Sequence, residues 1–257
     1  MTSNAHLLAI DSISKAFGGV QAIDTVSFTL SAESITGLIG PNGAGKTTLF
    51  NLVTGIFPTD SGDILFKGES IHEKAVHELV DMGLGRTFQN VELFSSMSVL
   101  ENVLVGLHTR TSCGIIGSVL RTRRLVQEER RARERALELL DFVGLADLAN
   151  QRSSDLPFGW QRLLELARAL ASEPALLLLD EPAAGLNMGE TDTLGELIES
   201  IRKQGITVLL VEHDMALTMK TCDRIVVLDR GKKIAEGPPR AIQSDEAVMA
   251  AYLGKPK

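Results

Sequence analysis

Two short runs of residues carry the types and spacing needed to handle a nucleotide. The first, GPNGAGKTT at residues 40–48, suits a phosphate chain. Gly40, Gly43 and Gly45 have no side chains, so the backbone can curl tightly and aim N–H groups at phosphate oxygens, with Pro41, Asn42 and Ala44 between them. A helix starting near Lys46 would add free amides and the positive end of its dipole. The Lys46 ammonium can reach the β- and γ-phosphates, the Thr47 hydroxyl can ligate Mg2+, and Thr48 follows in the first helical turn. The second run is LLLLDEP at 176–182. Asp180 ends an apolar strand, where open α/β sheets place their ligands, and can help to hold Mg2+. Glu181 can orient or deprotonate an attacking water. Such a pair could also cap a helix, but four apolar residues before it and Pro182 after it favour the strand-end reading.

Strands and helices must bring these runs together. Residues 35–39 read as a strand leading into the glycine-rich loop, and 48–53 as a helix leaving it. Short alternating segments at 7–10, 26–30 and 64–66 read as strands, partly antiparallel, packed beside the loop strand. Residues 98–107 read as a helix with Ser98 at its N-cap and Glu101 at N3. A second helix is expected from about 121 to 142, with Leu125, Ala132, Ala136, Leu139 and Val143 at helical spacing. Its arginine-rich start, RTRRLVQEERRARER, is read as a solvated face with pairs such as Glu129–Arg133 rather than as a basic contact for a partner. Beyond residue 158, helices alternate with apolar strands at 176–180, 208–211 and 225–228, which implies a mostly parallel sheet.

Composition narrows the function classes. The 257 residues are 44% hydrophobic and can bury a sizeable core, yet no run approaches the roughly 20 apolar residues of a membrane span. The opening MTSNAHLLAID has no basic-then-apolar signal pattern. A net charge of −7 argues against a nucleic-acid surface. Cys113 and Cys222 form neither a disulfide framework nor a metal motif and are expected as free thiols in a reducing cytosol.

Taken in order, the motifs resemble the ATP-binding cassette (ABC) ATPases, and the resemblance spans essentially the whole chain. It implies a P-loop α/β cassette over residues 1–257. A mostly parallel core sheet and an N-terminal antiparallel β part would be drawn from about 1–90 and 158–257. A helical subdomain would be inserted at about 91–157. Gln89 in GRTFQN looks like the family's Q-loop glutamine, which contacts Mg2+ or the attacking water. His213 in VEHD looks like the switch histidine that contacts the γ-phosphate. AAGLN at 183–187 is similar to the D-loop, and Phe17 in KAFGGV fits the aromatic that stacks on adenine.

The signature that completes a partner's ATP site is usually LSGGQ in this family; here Leu156, Pro157, Phe158, Gly159 and Trp160 read LPFGW. Pro157 supplies no hydroxyl, but backbone amides at the following helix start could still meet a phosphate. This departure resembles the subgroup that energises branched-chain amino-acid uptake. So do FGGVQAIDTVSF, RTFQNVELFSSMSVLENVLVGLH, DEPAAGLN, LLVEHDM and the ending VMAAYLG. The resemblance implies ATP and Mg2+ as cofactors and a peripheral place on the cytoplasmic face of the inner membrane. It also implies a second cassette, two membrane permeases and a periplasmic or lipid-anchored binding protein as partners. Relatives serving urea or short amides, or lipopolysaccharide export, are the alternatives within the family. Cassettes in DNA repair and translation are the alternatives outside transport; they carry long coiled coils or two cassettes, and this chain shows neither. Intact Glu181 and His213 disfavour a binding module without turnover.

Overall fold

The computed structural model describes residues 6–87, 91–107 and 123–253. The chain divides into two compact units, Met1–Arg86 with Ala175–Lys257, and Thr87–Pro174.

The first unit is built on a six-stranded sheet. Its strands are β3 (Ile35–Ile39), β6 (Leu84–Arg86), β7 (Leu176–Asp180), β8 (Thr207–Val211), β9 (Arg224–Asp229) and β10 (Lys232–Gly237), in the order β10-β9-β3-β8-β7-β6. Only β10 runs antiparallel to its neighbour. Every residue of β3, β7 and β8 is buried. A parallel sheet covered on both faces needs such continuously buried, mostly apolar strands, which explains why these runs do not alternate. The register places Leu38 and Asp180 both opposite Val211. The chain therefore leaves β3, β7 and β8 at one edge, with the glycine-rich loop, Glu181 and Glu212–His213 emerging side by side.

A second, antiparallel sheet has the order β2-β1-β4-β5, from β1 (His6–Phe17), β2 (Val20–Ser31), β4 (Ser61–Phe66) and β5 (Glu69–Ser70). It is separate from the loop strand rather than an extension of it. Its inner residues Leu8, Ile13, Ile23, Phe28, Leu30 and Phe66 share one core with Leu49 and Phe50 of helix α1 (Lys46–Val53). β1 and β2 form a hairpin of two twelve-residue strands closed by Gly18–Gly19. The sequence pattern ends at residue 10 because the register slips between Ile10 and Ile13, where Ser12 has a φ of 50°. Such a bulge breaks the period-two alternation without ending the strand. A short helix α2 (Val76–Asp81) buries Leu79 beneath this unit.

The second unit holds α3 (Val99–Leu107), α4 (Arg123–Phe142) and α5 (Phe158–Leu170). The expected capping box is present: the Ser98 N–H donates to Glu101 Oε2 at 2.7 Å and the Glu101 N–H to Ser98 Oγ at 3.2 Å. Ala136, Leu139 and Val143 are buried as the spacing requires. The exposed face pairs Arg130 with Glu134 at 2.8 Å, one register along from the pair expected at Glu129–Arg133. The unit extends to Pro174, past the boundary expected at residue 157, because α5 packs with α3 and α4.

Cys222 is buried and unpaired, and burial pushes its thiol up to about 12. Cys113 lies outside the described residues. Because the folded value is raised, Cys222 has no effect on stability below the ordinary thiol range. Between roughly pH 9 and 12 the unfolded chain ionises first, and stability falls by up to about 1.4 kcal/mol per pH unit. Maleimide at pH 8, followed by peptide mass spectrometry, is expected to label Cys222 only after denaturation. Equal labelling rates in native and unfolded protein would contradict this.

Candidate functional site

The glycine-rich loop leaves β3 and turns into α1 through Gly45, which has a φ of 104°. Two glycines are required by close packing. A Cβ on Gly40 would lie 2.2 Å from the Leu228 carbonyl oxygen, and one on Gly45 would lie 2.6 Å from that of Ala22. The loop is tied to the β9–β10 turn, where the Gly231 N–H donates to Ala44 O at 2.9 Å, and Gly231 O accepts from Asp24 N–H at 2.8 Å. Lys46 is buried, and its ammonium spans the loop, donating to Gly40 O at 2.7 Å and to Pro41 O at 3.2 Å. Burial lowers its pKa, while nearby Glu181 and Asp180 pull it back. Asn42, Gly43 and Thr47 are exposed, with Pro41 and Thr48 half-buried. Open N–H groups beside one buried cation make an anion site.

Asp180 is buried at the end of β7. Burial pushes its carboxyl above the usual carboxylate range, and Arg86 draws it back from 3.4 Å. Arg86 also donates to Asn51 Oδ1 at 2.8 Å and Thr54 Oγ1 at 3.0 Å, and its guanidinium lies 5.1 Å from the centre of the Phe50 ring. It thus links the end of β6 to α1 and to Asp180. Glu181 has a φ of 49°, a strained value for a residue with a side chain. That turn directs it out of the strand, and its Oε1 lies 2.9 Å from His213 Nε2. The pair is not a helix cap: Asn187 and Glu190 form a capping box that starts the next helix, α6 (Met188–Lys203).

Phe17 closes the β1–β2 hairpin and is 42% exposed. It meets Phe57 edge to face at 5.2 Å and 70°. Lys15 Nζ lies 5.5 Å from its ring and is held by Asp60 at 2.6 Å. A ring braced by a neighbour and still part exposed suits stacking with a planar base. Gln89 lies outside the described residues.

In the second unit, Pro157 stands at the N-cap of α5 with φ −54° and ψ 151°, and its carbonyl accepts from Trp160 and Gln161 N–H groups at 3.0 Å each. Leu156 and Gly159 are buried, while Phe158 and Trp160 are exposed. Gln161 Nε2 donates to Leu156 O at 2.9 Å, and the Arg162 guanidinium lies 5.4 Å from the Phe158 ring. The N–H groups of Phe158 and Gly159 come before those of Trp160 and Gln161 and have no carbonyl one turn back within the helix. The start of α5 is therefore a shaped, partly apolar helix end, and none of Leu156–Trp160 carries a hydroxyl.

The ABC transporter family model matches residues 23–184. A second model, described as branched-chain amino acid ATP-binding cassette transporter, matches residues 232–257. The high-affinity branched-chain amino acid transport ATP-binding protein LivG of Escherichia coli K12 is 42% identical over 97% of this chain and 98% of its own. The corresponding protein BraF of Pseudomonas aeruginosa is 41% identical over the same shares. The chain belongs to the ABC transporter family. A crystal structure of an ATP-binding cassette of an ABC transporter in its ADP conformation superposes on this cassette with a TM-score of 0.85. The two share 32% identity, covering 97% of this chain and 99% of the other.

As a cassette of this family, the chain is an ATP hydrolase coupled to transport. Among its described residues no helix is long and apolar enough to cross a membrane. Sequence reasoning singled out the loop, Asp180, Glu181, His213 and Phe17, but not Phe57, Lys15, Arg86 or Glu212. Phe57 acts from a position with no fixed spacing to Phe17, and Lys15, though inside the quoted KAFGGV, is tied to it only through Asp60, 45 residues away. Arg86 and Glu212 stand inside quoted motifs, RTFQN and VEHD. A charge next to an apolar strand was the available signal for both.

Proposed function

We propose that this cassette is the ATP-hydrolysing subunit of an importer for branched-chain amino acids. The observation that carries the reading is similarity along the full length to LivG and BraF, joined by the branched-chain family match at residues 232–257. Adenine stacks on Phe17, and the phosphates lie in the loop at 40–48 against Lys46. Mg2+ suits the hard oxygens available, the Thr47 hydroxyl and the Asp180 carboxylate, with Gln89 as a further ligand. The buried Asp180 is a carboxylate whose charge favours a nearby cation. When bound, Mg2+ neutralises charge on the phosphates. Glu181 holds the attacking water, and His213, already beside it, contacts the γ-phosphate. Leu156 to Trp160 close over the ATP of a second cassette, identical or similar.

The chain would sit at the cytoplasmic face of the inner membrane, with two permeases and, through them, a periplasmic or lipid-anchored binding protein. Phe94 supports a permease contact in the segment 91–96. It is exposed, yet its backbone is fixed by buried Asn102, which accepts from Phe94 N–H at 2.9 Å, and by Ser153 Oγ at 2.9 Å. A rigid exposed aromatic makes a good interface anchor.

Gly159→Asp places a carboxylate at the anion-facing helix start. The assembled transporter is expected to lose ATP hydrolysis while the separate subunit keeps its ATP affinity. Trp160, the only tryptophan, is expected to change fluorescence when ATP brings cassettes together. Normal hydrolysis by the Gly159→Asp assembly would remove the signature assignment. Affinity purification from native membranes tests the wider reading: permeases and a second cassette are expected, whereas DNA or ribosomes in their place would overturn it.

A further inference from the structure

Glu212 is an acidic side chain in a place otherwise given to apolar residues. It follows the fully buried strand β8 and is only 3% exposed. Its carboxylate gathers three backbone donors. Oε1 accepts from Ala183 N–H at 2.7 Å; Oε2 accepts from His213 N–H at 3.0 Å and from Asp214 N–H at 3.3 Å. Hydrogen bonds to an ionised acceptor are stronger than neutral ones, and an unmet buried N–H is costly. Burial raises the Glu212 pKa and these amides lower it.

The two sides of this clamp belong to different loops. Ala183 lies two residues beyond Glu181, in the loop that runs from β7 to α6. His213 and Asp214 open the segment leading into helix α7 (Met215–Thr221), where Asp214 Oδ1 caps the Leu217 N–H at 2.9 Å. The same loops meet at two further points: Glu181 N–H donates to Val211 O at 2.8 Å, and Glu181 Oε1 faces His213 Nε2 at 2.9 Å. Backbone, buried carboxylate and the half-buried Glu181 with exposed His213 thus form one closed ring.

We propose that Glu212 is a positioning residue for hydrolysis, its carboxylate locking the loop that carries Glu181 to the loop that carries His213. The clamp touches neither the phosphate loop nor Phe17, which carry most of the nucleotide's proposed contacts, so its loss falls chiefly on turnover. Glu212→Gln is close in size, but one of its two acceptor oxygens becomes an NH2 group that faces N–H donors. Glu212→Asp keeps the charge and is one methylene too short to reach both loops. The inference rests on ATP hydrolysis at this site, so both variants are compared with an unmodified assembly that hydrolyses ATP.

For Glu212→Gln, kcat of the assembled transporter is expected to fall roughly 10- to 100-fold, the scale of a small misplacement of reacting groups, with KM for ATP held within about twofold. Glu212→Asp is expected to show the same split. His213→Ala added to Glu212→Gln is expected to cost far less than it does alone, because the two act through one arrangement. A general structural role would instead lower affinity, melting temperature and kcat together and let the two losses multiply. Unchanged kcat in both Glu212 variants, a parallel rise in KM, or full multiplication with His213→Ala would overturn the proposal.

Discussion

Glu181→Gln is expected to leave ATP affinity unchanged and to lower turnover by about 10²–10⁴, the range for losing a general base. The substitution keeps the size of the side chain at the strained turn after β7 and the backbone bond to Val211 O. It exchanges the carboxylate facing His213 for an amide. In the proposed site binding depends on Lys46, the loop and Phe17; the exchange leaves all of them in place and removes only a nearby charge from Lys46. With its partner cassette, the variant should also collect in an ATP-bound closed pair, visible as an ATP-dependent shift in size-exclusion chromatography. Normal hydrolysis together with dissociated subunits would remove Glu181 from the reaction.

Lys46→Ala should act at the opposite step. Among the described residues it removes the cation that bonds within the loop, so the β- and γ-phosphates would lose two charge-assisted contacts. ATP affinity should fall by at least about 100-fold, since each such contact contributes about 1.5–3 kcal/mol. The structure adds a second consequence. Gly40 O and Pro41 O lose their buried donor, so the variant should also melt earlier without nucleotide. Calorimetric titration with ATP measures the first effect; an unchanged affinity would sink the phosphate-loop reading.

The parts of the site legible in the sequence were those with rigid local spacing. The loop residues are contiguous, and two of their glycines, Gly40 and Gly45, sit so close to Leu228 and Ala22 that a Cβ would clash. Strands β7 and β8 could be read from their apolar runs, and β3 from its place before the glycine-rich loop. The alignment that unites them could not, because a register that pairs Leu38 and Asp180 with Val211 is a property of three strands from distant parts of the chain. The β1–β2 hairpin was shortened in the reading by a bulge at Ser12 that interrupts the alternation. The helical unit was cut short because α5 carries both the signature at its start and a packing face for α3 and α4. Only the fold shows that the second role assigns it to that unit. Arg86 and Glu212 were passed over because their partners, Asp180 and Ala183, lie 94 and 29 residues away.

ATP hydrolysis by this cassette is proposed to drive uptake of a branched-chain amino acid. The most direct measurement is accumulation of radiolabelled leucine by proteoliposomes holding the complete transporter and its binding protein, with ATP supplied to the cassette side. ATP-dependent accumulation that is lost with Glu181→Gln is the predicted result. ATP hydrolysis by the same vesicles without any movement of leucine, isoleucine or valine would contradict it.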